Sequence, residues 1–449
     1  SVCVELFLVA KSEVNVGLLG WGTVGTSVSK ILLNHQEQIF QTAGVRLNLT
    51  KVVKRTLPAH REGINLPENC LSTNPAEVIE NPQIDIVVEL IGGIDQAYQL
   101  ITQAIRNGKH VVTANKALLA ERGVELFQLA DKHGVGLGFE ASTAGGIPII
   151  KALTDSFPGN QIQAIYGIVN GTCNYILTQM HEQMTSFDAA LSAAQDKGYA
   201  ESDPTLDIEG IDAAHKLAIL SSLAYNAHLP FERVHVEGIT RITDREIQHA
   251  QEFGYVIKLL AITKKTTRGI EARVHPTLIP EKSILANVSD AFNAVCVVGD
   301  AVGPTLFYGR GAGGMPTASA VVADIVGAGR SASTGVVNPL PKGWITNESA
   351  QGVVSSIAEI ETRYYLHLIV RDRPGVLAKI GQVLGQCNIG IAAVIQKESH
   401  GTDTASLVII THQALEKNMI QARQLINQLE VVSGDSILIR IEELDFAKT

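Results

Sequence analysis

The glycine-rich segment Gly20–Gly25 constrains the fold of this chain more than any other feature of its sequence. It has the spacing G-x-G-x-x-G, follows an apolar run at residues 14–20 and precedes a helical pattern over residues 25–40. In a strand, turn and helix of this kind, the first glycine permits the tight turn, the second leaves room for a pyrophosphate and the third lets helix and strand touch. The start of the helix then offers N–H groups to phosphates. We therefore predict a dinucleotide-binding turn with contacts from Gly20, Gly22, Thr23, Val24 and Gly25.

The pattern after this turn indicates a parallel sheet with helices on both faces. Further apolar runs lie at residues 47–53, 84–90, 110–113 and 135–139. Helices are predicted between them, at residues 94–107 and 117–133. Such alternation is typical of a doubly wound α/β fold. We assign residues 1–140 to this Rossmann-type domain and expect residues 310–340 to complete it.

A different pattern over residues 141–309 predicts a second domain, of the α+β class. Helices are predicted at residues 148–156, 173–196, 210–226 and 244–262, and strands at residues 161–169 and 270–279. A second glycine-rich segment, Gly309–Pro316, opens a further helix. The stretch 341–362 is interpreted as a linker.

Residues 363–449 predict a complete small domain by themselves. The predicted order is strand, helix, strand, strand, helix and strand, at residues 364–370, 376–386, 389–396, 404–411, 415–429 and 436–441. This βαββαβ order is that of a ferredoxin-like fold. The whole chain is therefore predicted to be an α/β protein with three folded parts.

Composition restricts the class of partner. A formal net charge of −9 and an aromatic content of 5% argue against a surface that neutralises nucleic-acid phosphates or anionic lipid. No apolar run approaches the roughly 18 residues needed to span a bilayer. The cysteines lie singly, without the spacing of a zinc site, which favours a reducing compartment. We therefore expect a cytoplasmic protein whose partner is a small molecule rather than a nucleic acid or a membrane.

Two cations follow the second predicted strand, where an acidic residue would read a ribose 2′-hydroxyl. Lys54 and Arg55 occupy this position. Because cations suit a 2′-phosphate, we predict NADP as the preferred cofactor and leave the use of NAD open. The alternative is that both side chains are solvated charges of a surface loop.

The densest cluster of ionisable residues lies between Gly198 and Lys216. Asp212 and Lys216 are four residues apart and share a helix face, and Glu201 lies on the loop that leads into this helix. Most pairs at this spacing are surface ion pairs, but the apolar run Leu217–Leu220 that follows indicates a buried helix. A buried lysine beside a carboxylate can carry a proton or hold a substrate oxygen.

A second lysine, Lys116, follows the predicted strand at residues 110–113, at the edge where doubly wound sheets bind ligands. The alternative interpretation of Lys116 is an exposed lysine at the start of a helix. When an alcohol gives a hydride to a nicotinamide, its hydroxyl proton must also leave. The two lysines suit this chemistry.

Taken together, these segments resemble the homoserine dehydrogenase family, whose members interconvert homoserine and aspartate β-semialdehyde with NAD(P). The resemblance covers about residues 14–340. The segment Gly198–Lys216 is highly specific for this family, and the order of this and the other segments along the chain is more specific still. The matching segments are Gly20–Gly25, Val112–Ala117, Glu140–Pro148, Asn170–Tyr175, Gly198–Lys216 and Gly309–Pro316.

The resemblance implies that the α+β domain at residues 141–309 serves catalysis, substrate binding and dimerisation. It also implies a role for each matching position. It assigns catalysis, as proton transfer and orientation of the reacting oxygen, to Lys216, Lys116 and Asp212. It assigns substrate binding to Asp212, Lys116, Thr172 and Glu201, the last through the ammonium group of the substrate. Further cofactor contacts are implied for Lys116, Gly198 and Gly311. Family members also bind a structural sodium ion through backbone oxygens, and the matching positions are Glu140, Thr143, Gly145 and Ile147.

The βαββαβ segment resembles an ACT domain, a regulatory module that binds amino acids between paired copies. Asp372, Pro374 and Gly375 form a turn at a helix start, where N–H groups can meet a carboxylate. Asn388 and Ile389 would face this turn from a paired copy. By family analogy the effector is threonine, and the chain assembles as a homodimer or homotetramer. A dimerisation unit without a ligand is the alternative.

Two other functions stay open at this point. One is another Rossmann dehydrogenase with an ACT tail, although the paired lysines replace the His/Glu relay of the phosphoglycerate dehydrogenase type. The other is a nucleotide- and amino-acid-sensing protein without turnover, against which the retention of both Lys116 and Lys216 argues. We therefore predict a homoserine dehydrogenase of threonine, methionine and isoleucine biosynthesis, feedback-regulated by an amino acid at its C-terminal domain.

Overall fold

The computed structural model describes residues 11–56, 64–346, 354–397 and 403–444. The chain divides into two compact units. The first takes its described residues from the ranges Ser1–Gln161, Ala218–Phe231 and Phe307–Gly352. The second takes them from Ile162–Leu217, Glu232–Leu306 and Val353–Thr449.

The first unit contains a six-stranded sheet. Its strands are β1 (Glu13–Leu19), β2 (Arg46–Val53), β3 (Leu71–Ser72), β4 (Ile86–Glu89), β5 (His110–Thr113) and β6 (Leu137–Gly138). Their order is β3-β2-β1-β4-β5-β6, and each neighbouring pair is parallel. This confirms the predicted Rossmann-type sheet. The order reverses between β1 and β4, the switch point at which such sheets bind ligands.

One helix predicted for this part is divided in the structure. They are α1 (Thr23–Asn34), α2 (Gln36–Ala43), α3 (Ala76–Ile79), α4 (Asp95–Arg106), α5 (Lys116–His133) and α6 (Ile149–Lys151). The single helix predicted over residues 25–40 is wrong, because the backbone leaves the helical conformation at His35, with φ −114° and ψ 20°. β4 is buried throughout, which explains its apolar run Ile86–Val88.

The middle of the chain combines long strands with helices. Its strands are β7 (Ile162–Ile168), β8 (His235–Val236), β9 (Tyr255–Thr266), β10 (Gly269–Pro280), β11 (Phe292–Gly299) and β12 (Gly303–Arg310). Its helices are α7 (Gly171–Gln183), α8 (Phe187–Asp196), α9 (Thr205–Ile208), α10 (Ile211–Ala224) and α11 (Asp244–Glu252). The sequence patterns did not indicate β11 and β12.

The helix predicted over residues 244–262 is wrong in its second half. α11 ends at Glu252, Gly254 adopts φ +73°, and β9 starts at Tyr255. Residues 256–263 are buried without interruption, so this strand lacks the alternation that separates a strand from a helix in sequence. The helix predicted over residues 173–196 likewise divides into α7 and α8, because Met184 adopts φ +51°.

The chain after β12 contributes to the first unit. It forms α12 (Gly314–Thr334) and the short helix α13 (Lys342–Ile345). One face of α12 lies in the same apolar core as β1. Trp344 of α13 is buried against the ring of Phe127, with a centroid distance of 4.4 Å. Residues 347–353 of the predicted linker lie outside the described residues.

The C-terminal elements follow a βαββαβ order with one added short strand. They are β13 (Glu361–Arg371), α14 (Val376–Gln386), β14 (Ile391–Lys397), β15 (Thr404–Thr411), β16 (Ala414–Leu415), α15 (Glu416–Asn427) and β17 (Ile437–Ile441). The strand order β17-β13-β15-β14, with antiparallel neighbours, is that of a ferredoxin-like sheet. In the part of the chain that the structure describes, every helix is too short or too polar to span a bilayer.

This C-terminal sheet continues into the preceding one. β17 also pairs in parallel with β10, so that Thr277 lies opposite Arg440. The second unit therefore contains one mixed sheet with the order β12-β11-β7-β9-β10-β17-β13-β15-β14. Two buried ion pairs lie at the junction, between Arg273 and Glu442 and between Arg440 and Glu416. The C-terminal elements are thus joined to the middle of the chain by strand pairing and by charge.

Candidate active site

The glycine turn lies between β1 and α1 and touches the loop that follows β4. Gly20 has φ +103°, and a Cβ at this position would lie 2.6 Å from the carbonyl oxygen of Leu90. A Cβ at Gly25 would lie 2.1 Å from the carbonyl oxygen of Gly20. Both positions require glycine because one backbone passes against another. A Cβ at Gly22 would meet nothing within 4 Å, so this glycine leaves space open for a ligand.

A cleft of about 580 Å³ extends from the glycine turn to the end of β2. Lys54 and Arg55 line it, and Lys54 Nζ lies 5.9 Å from the centroid of the Trp21 ring. Arg55 is exposed. The cleft has the size of a ligand pocket, with a helix start in one wall and two cations in another. This arrangement fits a phosphorylated nucleotide.

The second glycine-rich segment lies against the first turn of α1, which contains Thr23 and Val24. A Cβ at Gly314, the first residue of α12, would lie 3.2 Å from Thr23 Cγ2. Gly311 is three residues earlier, and its carbonyl oxygen would lie 2.2 Å from a Cβ at Gly145. The loops that carry Gly145 and Gly311 therefore pack backbone to backbone, close to the glycine turn.

Lys116 is the first residue of α5 and is half-buried. Asn115 caps this helix, since its side-chain oxygen accepts the N–H of Leu118 at 3.2 Å. Because β5 ends at Thr113, Lys116 lies at the carboxyl edge of the parallel sheet, as predicted for a ligand-binding loop.

Lys216 and Asp212 form a buried ion pair on α10. Lys216 Nζ lies 2.7 Å from Asp212 Oδ2 and donates a second hydrogen bond to the carbonyl oxygen of Val169 at 2.6 Å. Lys216 is 9% exposed and Asp212 is 8% exposed, so this is not the solvated pair that is common at this spacing. An ammonium group has three N–H donors. Among the described residues, these two acceptors use two of the three donors.

The sequence analysis missed two residues of this region, Asn170 at the start of α7 and Asp207 on α9. Asn170 Nδ2 donates to Asp212 Oδ2 at 2.9 Å and to Asp207 Oδ1 at 2.7 Å. The other oxygen of Asp207 lies 3.0 Å from the Thr172 hydroxyl. Asn170 is the N-cap of α7, a position that the sequence could have revealed. No spacing pattern connects Asp207 to its partners, which are distant in sequence.

The loop between α8 and α9 carries the remaining residues predicted for this region. Gly198 follows α8 with φ +72°. Glu201 is exposed, and its carbonyl oxygen accepts a hydrogen bond from Gln195 at 3.2 Å. The Thr172 hydroxyl lies 2.7 Å from the carbonyl oxygen of Tyr199 and so holds this loop against α7. The second unit thus brings Thr172, Gly198 and Glu201 into one region.

Cys173 is a packed residue of this region rather than a nucleophile. Burial raises the pKa of its thiol well above the ordinary value, and the nearby carboxylates of Asp207 and Asp212 act in the same direction. A thiol that stays protonated is a poor nucleophile.

The predicted sodium ligands lie in one short segment of the first unit. The Glu140 carboxylate accepts the N–H groups of Ile150 and Lys151 at 2.8 and 2.9 Å, and burial raises its pKa to about 7. Thr143 Oγ1 is buried and has no hydrogen-bond partner among the described residues. Among the described residues, no three His, Cys, Asp or Glu side chains gather as a metal site requires. A cation here would therefore depend on backbone and hydroxyl oxygens.

One chain does not bring the predicted effector residues together. Asp372, Pro374 and Gly375 are exposed before α14, whereas Asn388 follows this helix and Ile389 is buried in the C-terminal core. α14 has 11 residues and is therefore about 16 Å long. A site that used both sets would need two copies of the chain.

Comparison with known proteins identifies the family. The model of the homoserine dehydrogenase NAD-binding domain matches residues 20–140, and the homoserine dehydrogenase model matches residues 148–326. A homoserine dehydrogenase from Neisseria gonorrhoeae is 44% identical over 434 residues, which is 96% of this chain and 99% of that protein. The chain belongs to the homoserine dehydrogenase family.

Solved homoserine dehydrogenases have the same fold. The crystal structure of the enzyme from Thiobacillus denitrificans is 46% identical, covers 97% of this chain and 99% of its own, and has a TM-score of 0.91. A hyperthermophilic archaeal homoserine dehydrogenase in complex with NADPH is 28% identical and covers 70% of this chain and 97% of its own, with a TM-score of 0.59.

Family membership decides between the functions left open by the sequence. The chain is an oxidoreductase with the function of a homoserine dehydrogenase, and its first unit carries a nicotinamide-binding domain. The alternatives of a different type of Rossmann dehydrogenase and of a sensor without turnover are set aside. The two family models include Lys116, Asp212 and Lys216, while the residues from 327 onward lie beyond both models.

Proposed function

We propose that this homoserine dehydrogenase interconverts L-homoserine and L-aspartate 4-semialdehyde with NADP or NAD, and that Lys216 carries the proton. The observation that supports this role is the buried ammonium group of Lys216, which is held by Asp212 and the Val169 carbonyl. Among the described residues, these two acceptors use two of its three N–H donors. A buried cation with a directed donor stabilises negative charge on a substrate oxygen far better than a solvated one.

The nicotinamide, when bound, exchanges the hydride with the substrate carbon. In aldehyde reduction, Lys216 donates a proton from Nζ to the oxygen that becomes the hydroxyl. In the reverse direction, the neutral amine of Lys216 accepts that proton as the hydride leaves. Asp212 keeps Nζ in place, and Asn170 in turn keeps the Asp212 carboxylate in place. Lys116 orients the reacting oxygen from the carboxyl edge of the parallel sheet.

The substrate amino acid would be held mainly by the second unit. The exposed carboxylate of Glu201 suits the substrate ammonium group. Thr172, whose hydroxyl contacts the loop that carries Glu201, offers a hydroxyl oxygen nearby. Asp207 joins them because its carboxylate is hydrogen-bonded to Thr172 and Asn170.

The cofactor in this proposal is preferably NADP. Gly20, Gly22, Thr23, Val24 and Gly25 would receive the pyrophosphate, and Lys54 and Arg55 the 2′-phosphate, since both cations line the same cleft. Gly198, Gly311 and Lys116 complete the proposed contacts toward the nicotinamide. The NADPH complex of the archaeal relative supports the use of the phosphorylated cofactor.

A structural sodium ion is proposed at Glu140, Thr143, Gly145 and Ile147. The unpartnered buried hydroxyl of Thr143 supports this site, because a hard cation binds oxygen and would satisfy that atom. The ion would brace the segment that packs on Gly311 and would take no part in redox chemistry.

The C-terminal elements are proposed to be an ACT domain that binds threonine between paired copies in a cytoplasmic homodimer or homotetramer. A chain of contacts supports the coupling of this domain to the reaction. Arg440 of β17 donates to Glu237 at 2.9 Å, and Ile239 N–H donates to the carbonyl oxygen of Ile208 at 2.8 Å. Ile208 directly follows Asp207, so a shift of β17 would reach the proposed substrate site.

Activity with L-homoserine tests the proposal. Purified protein is expected to reduce NADP or NAD at alkaline pH, and Lys216→Ala is expected to lower kcat by about 100-fold or more. NADPH binding, followed by fluorescence, should stay within about twofold of the wild type because Lys216 lies outside the glycine-turn cleft. A Lys216→Ala variant that kept most of the wild-type kcat would contradict the proton-transfer role.

A further inference from the structure

A buried carboxylate at the carboxyl end of β4 has no part in the function described so far. Glu89 is fully buried, and its two oxygens have separate partners. Oε1 accepts the backbone N–H groups of Ile91 and Gly92 at 2.8 and 3.1 Å. Oε2 accepts the hydroxyl hydrogen of Thr113 at 2.6 Å. Glu89 therefore joins the loop after β4 to the end of β5.

The hydrogen bonds continue from Thr113 to the start of α5. The oxygen of Thr113 accepts the N–H of Asn115 at 3.0 Å. Asn115 Nδ2 donates back to the carbonyl oxygen of Gly93 at 2.6 Å, while its Oδ1 caps α5. The loops after β4 and β5 are thus closed into one ring of hydrogen bonds, and Lys116 is the next residue after that ring.

The same ring touches the glycine turn. The loop after β4 begins at Leu90, whose carbonyl oxygen leaves no room for a Cβ at Gly20. A shift of this loop would therefore move the backbone that faces the pyrophosphate. Desolvating a carboxylate is costly unless its hydrogen bonds repay the cost, and a neutral side chain would suffice for packing alone. The hydrogen bonds of the Glu89 carboxylate therefore serve to hold the loops after β4 and β5 in one geometry.

We propose that Glu89 is a positioning residue that fixes Lys116 relative to the glycine turn. This rests on the role proposed above for Lys116. Glu89 acts through Thr113 and Asn115 and touches neither substrate nor cofactor. Small displacements of a reacting group reduce rates steeply. Loss of the ring therefore lowers kcat while the melting temperature stays close to that of the wild type.

Two variants break the ring in different ways. Glu89→Gln keeps one oxygen for the N–H groups of Ile91 and Gly92 but presents an amide donor to the Thr113 hydroxyl. Thr113→Val removes that hydroxyl with little change of shape, and it serves if the glutamine variant does not fold. Each is expected to lower kcat about tenfold, with a melting temperature close to that of the wild type.

Asp85→Asn is the matched control. Asp85 immediately precedes β4, at the opposite edge of the sheet, where it accepts the Asn15 N–H at 2.8 Å and pairs with Lys11. Loss of its charge is expected to leave kcat within twofold of the wild type. An equal fall of kcat in this control would show a general effect on β4 and would overturn the proposal.

The decisive measurement repeats both variants in a Lys116→Ala background. If Glu89 acts through Lys116, Glu89→Gln and Thr113→Val change the residual kcat of that background less than twofold. A tenfold fall in both backgrounds would overturn the positioning role, as would an unchanged kcat of the folded single variants. A Lys116→Ala variant with full kcat would instead overturn the role of Lys116.

Discussion

Burial of Lys258 near the start of α7 predicts how the free energy of unfolding depends on pH. Its side chain is 2% exposed, and Nζ donates to the carbonyl oxygen of Val288 at 2.6 Å and to Asn174 Oδ1 at 3.2 Å. Burial lowers the pKa of Lys258 from 10.5 to about 8, although the carboxylates of Glu182 and Asp290 act in the opposite direction.

This shift makes stability depend on pH with a definite sign. Below about pH 8 the lysine is charged in both the folded and the unfolded chain, and burial of the charge costs the folded state roughly 3 kcal/mol. Above pH 10.5 it is neutral in both states and the cost is absent. The contribution of Lys258 to the free energy of unfolding therefore rises by roughly 3 kcal/mol between these two pH values.

The comparison of wild type with Lys258→Met isolates this effect, because methionine has a similar volume and no charge. Denaturant unfolding of both proteins should be measured at equal protein concentration between pH 7.5 and pH 10.5. We expect the difference in unfolding free energy to move by roughly 3 kcal/mol in favour of the wild type as pH rises. A difference that stays constant over this range would refute the reasoning.

Two further predictions concern the cofactor and the effector. The double variant Lys54→Ala, Arg55→Ala is expected to raise the KM for NADP about tenfold or more and to change the KM for NAD less than threefold, since only NADP has the 2′-phosphate. Equal changes of both KM values would show that these cations are solvated loop charges. Threonine is expected to inhibit homoserine oxidation by the wild type, and to inhibit the Asp372→Ala and Glu237→Gln variants less strongly. Asp372 lies in the proposed effector turn, and Glu237 would receive the signal from Arg440. Inhibition curves check this, and unchanged inhibition of Glu237→Gln would exclude the contact between Arg440 and Glu237 as the route of the signal.

Local sequence features predicted much of the first unit. The glycine spacing and the apolar runs indicate where β1, β2 and β5 lie, because each run is followed by a turn or helix signal. The four-residue spacing of Asp212 and Lys216 likewise predicts a shared helix face, and the apolar run after them predicts burial. These are properties of neighbouring residues, which the sequence contains directly.

Other features depended on strands that the patterns did not identify. β9 was taken for the end of a helix because it is buried on both faces. Its largely apolar sequence therefore lacks the alternation of a half-buried strand and fits either structure. Asp207 was missed because its role comes from hydrogen bonds to Asn170 and Thr172. These residues are distant in sequence and meet only where α9 packs against the start of α7.

The sequence by itself therefore determined the glycine turn between β1 and α1, the alternating sheet of the first unit and the buried pair of Lys216 and Asp212. Only the tertiary structure decided that β17 pairs with β10, that Arg440 lies between Glu416 and Glu237, and that Glu89 joins two loops at the sheet edge. The physical reason is that strand edges and buried charges find their partners through space. Periodicity and spacing describe only what each segment offers to such a partner.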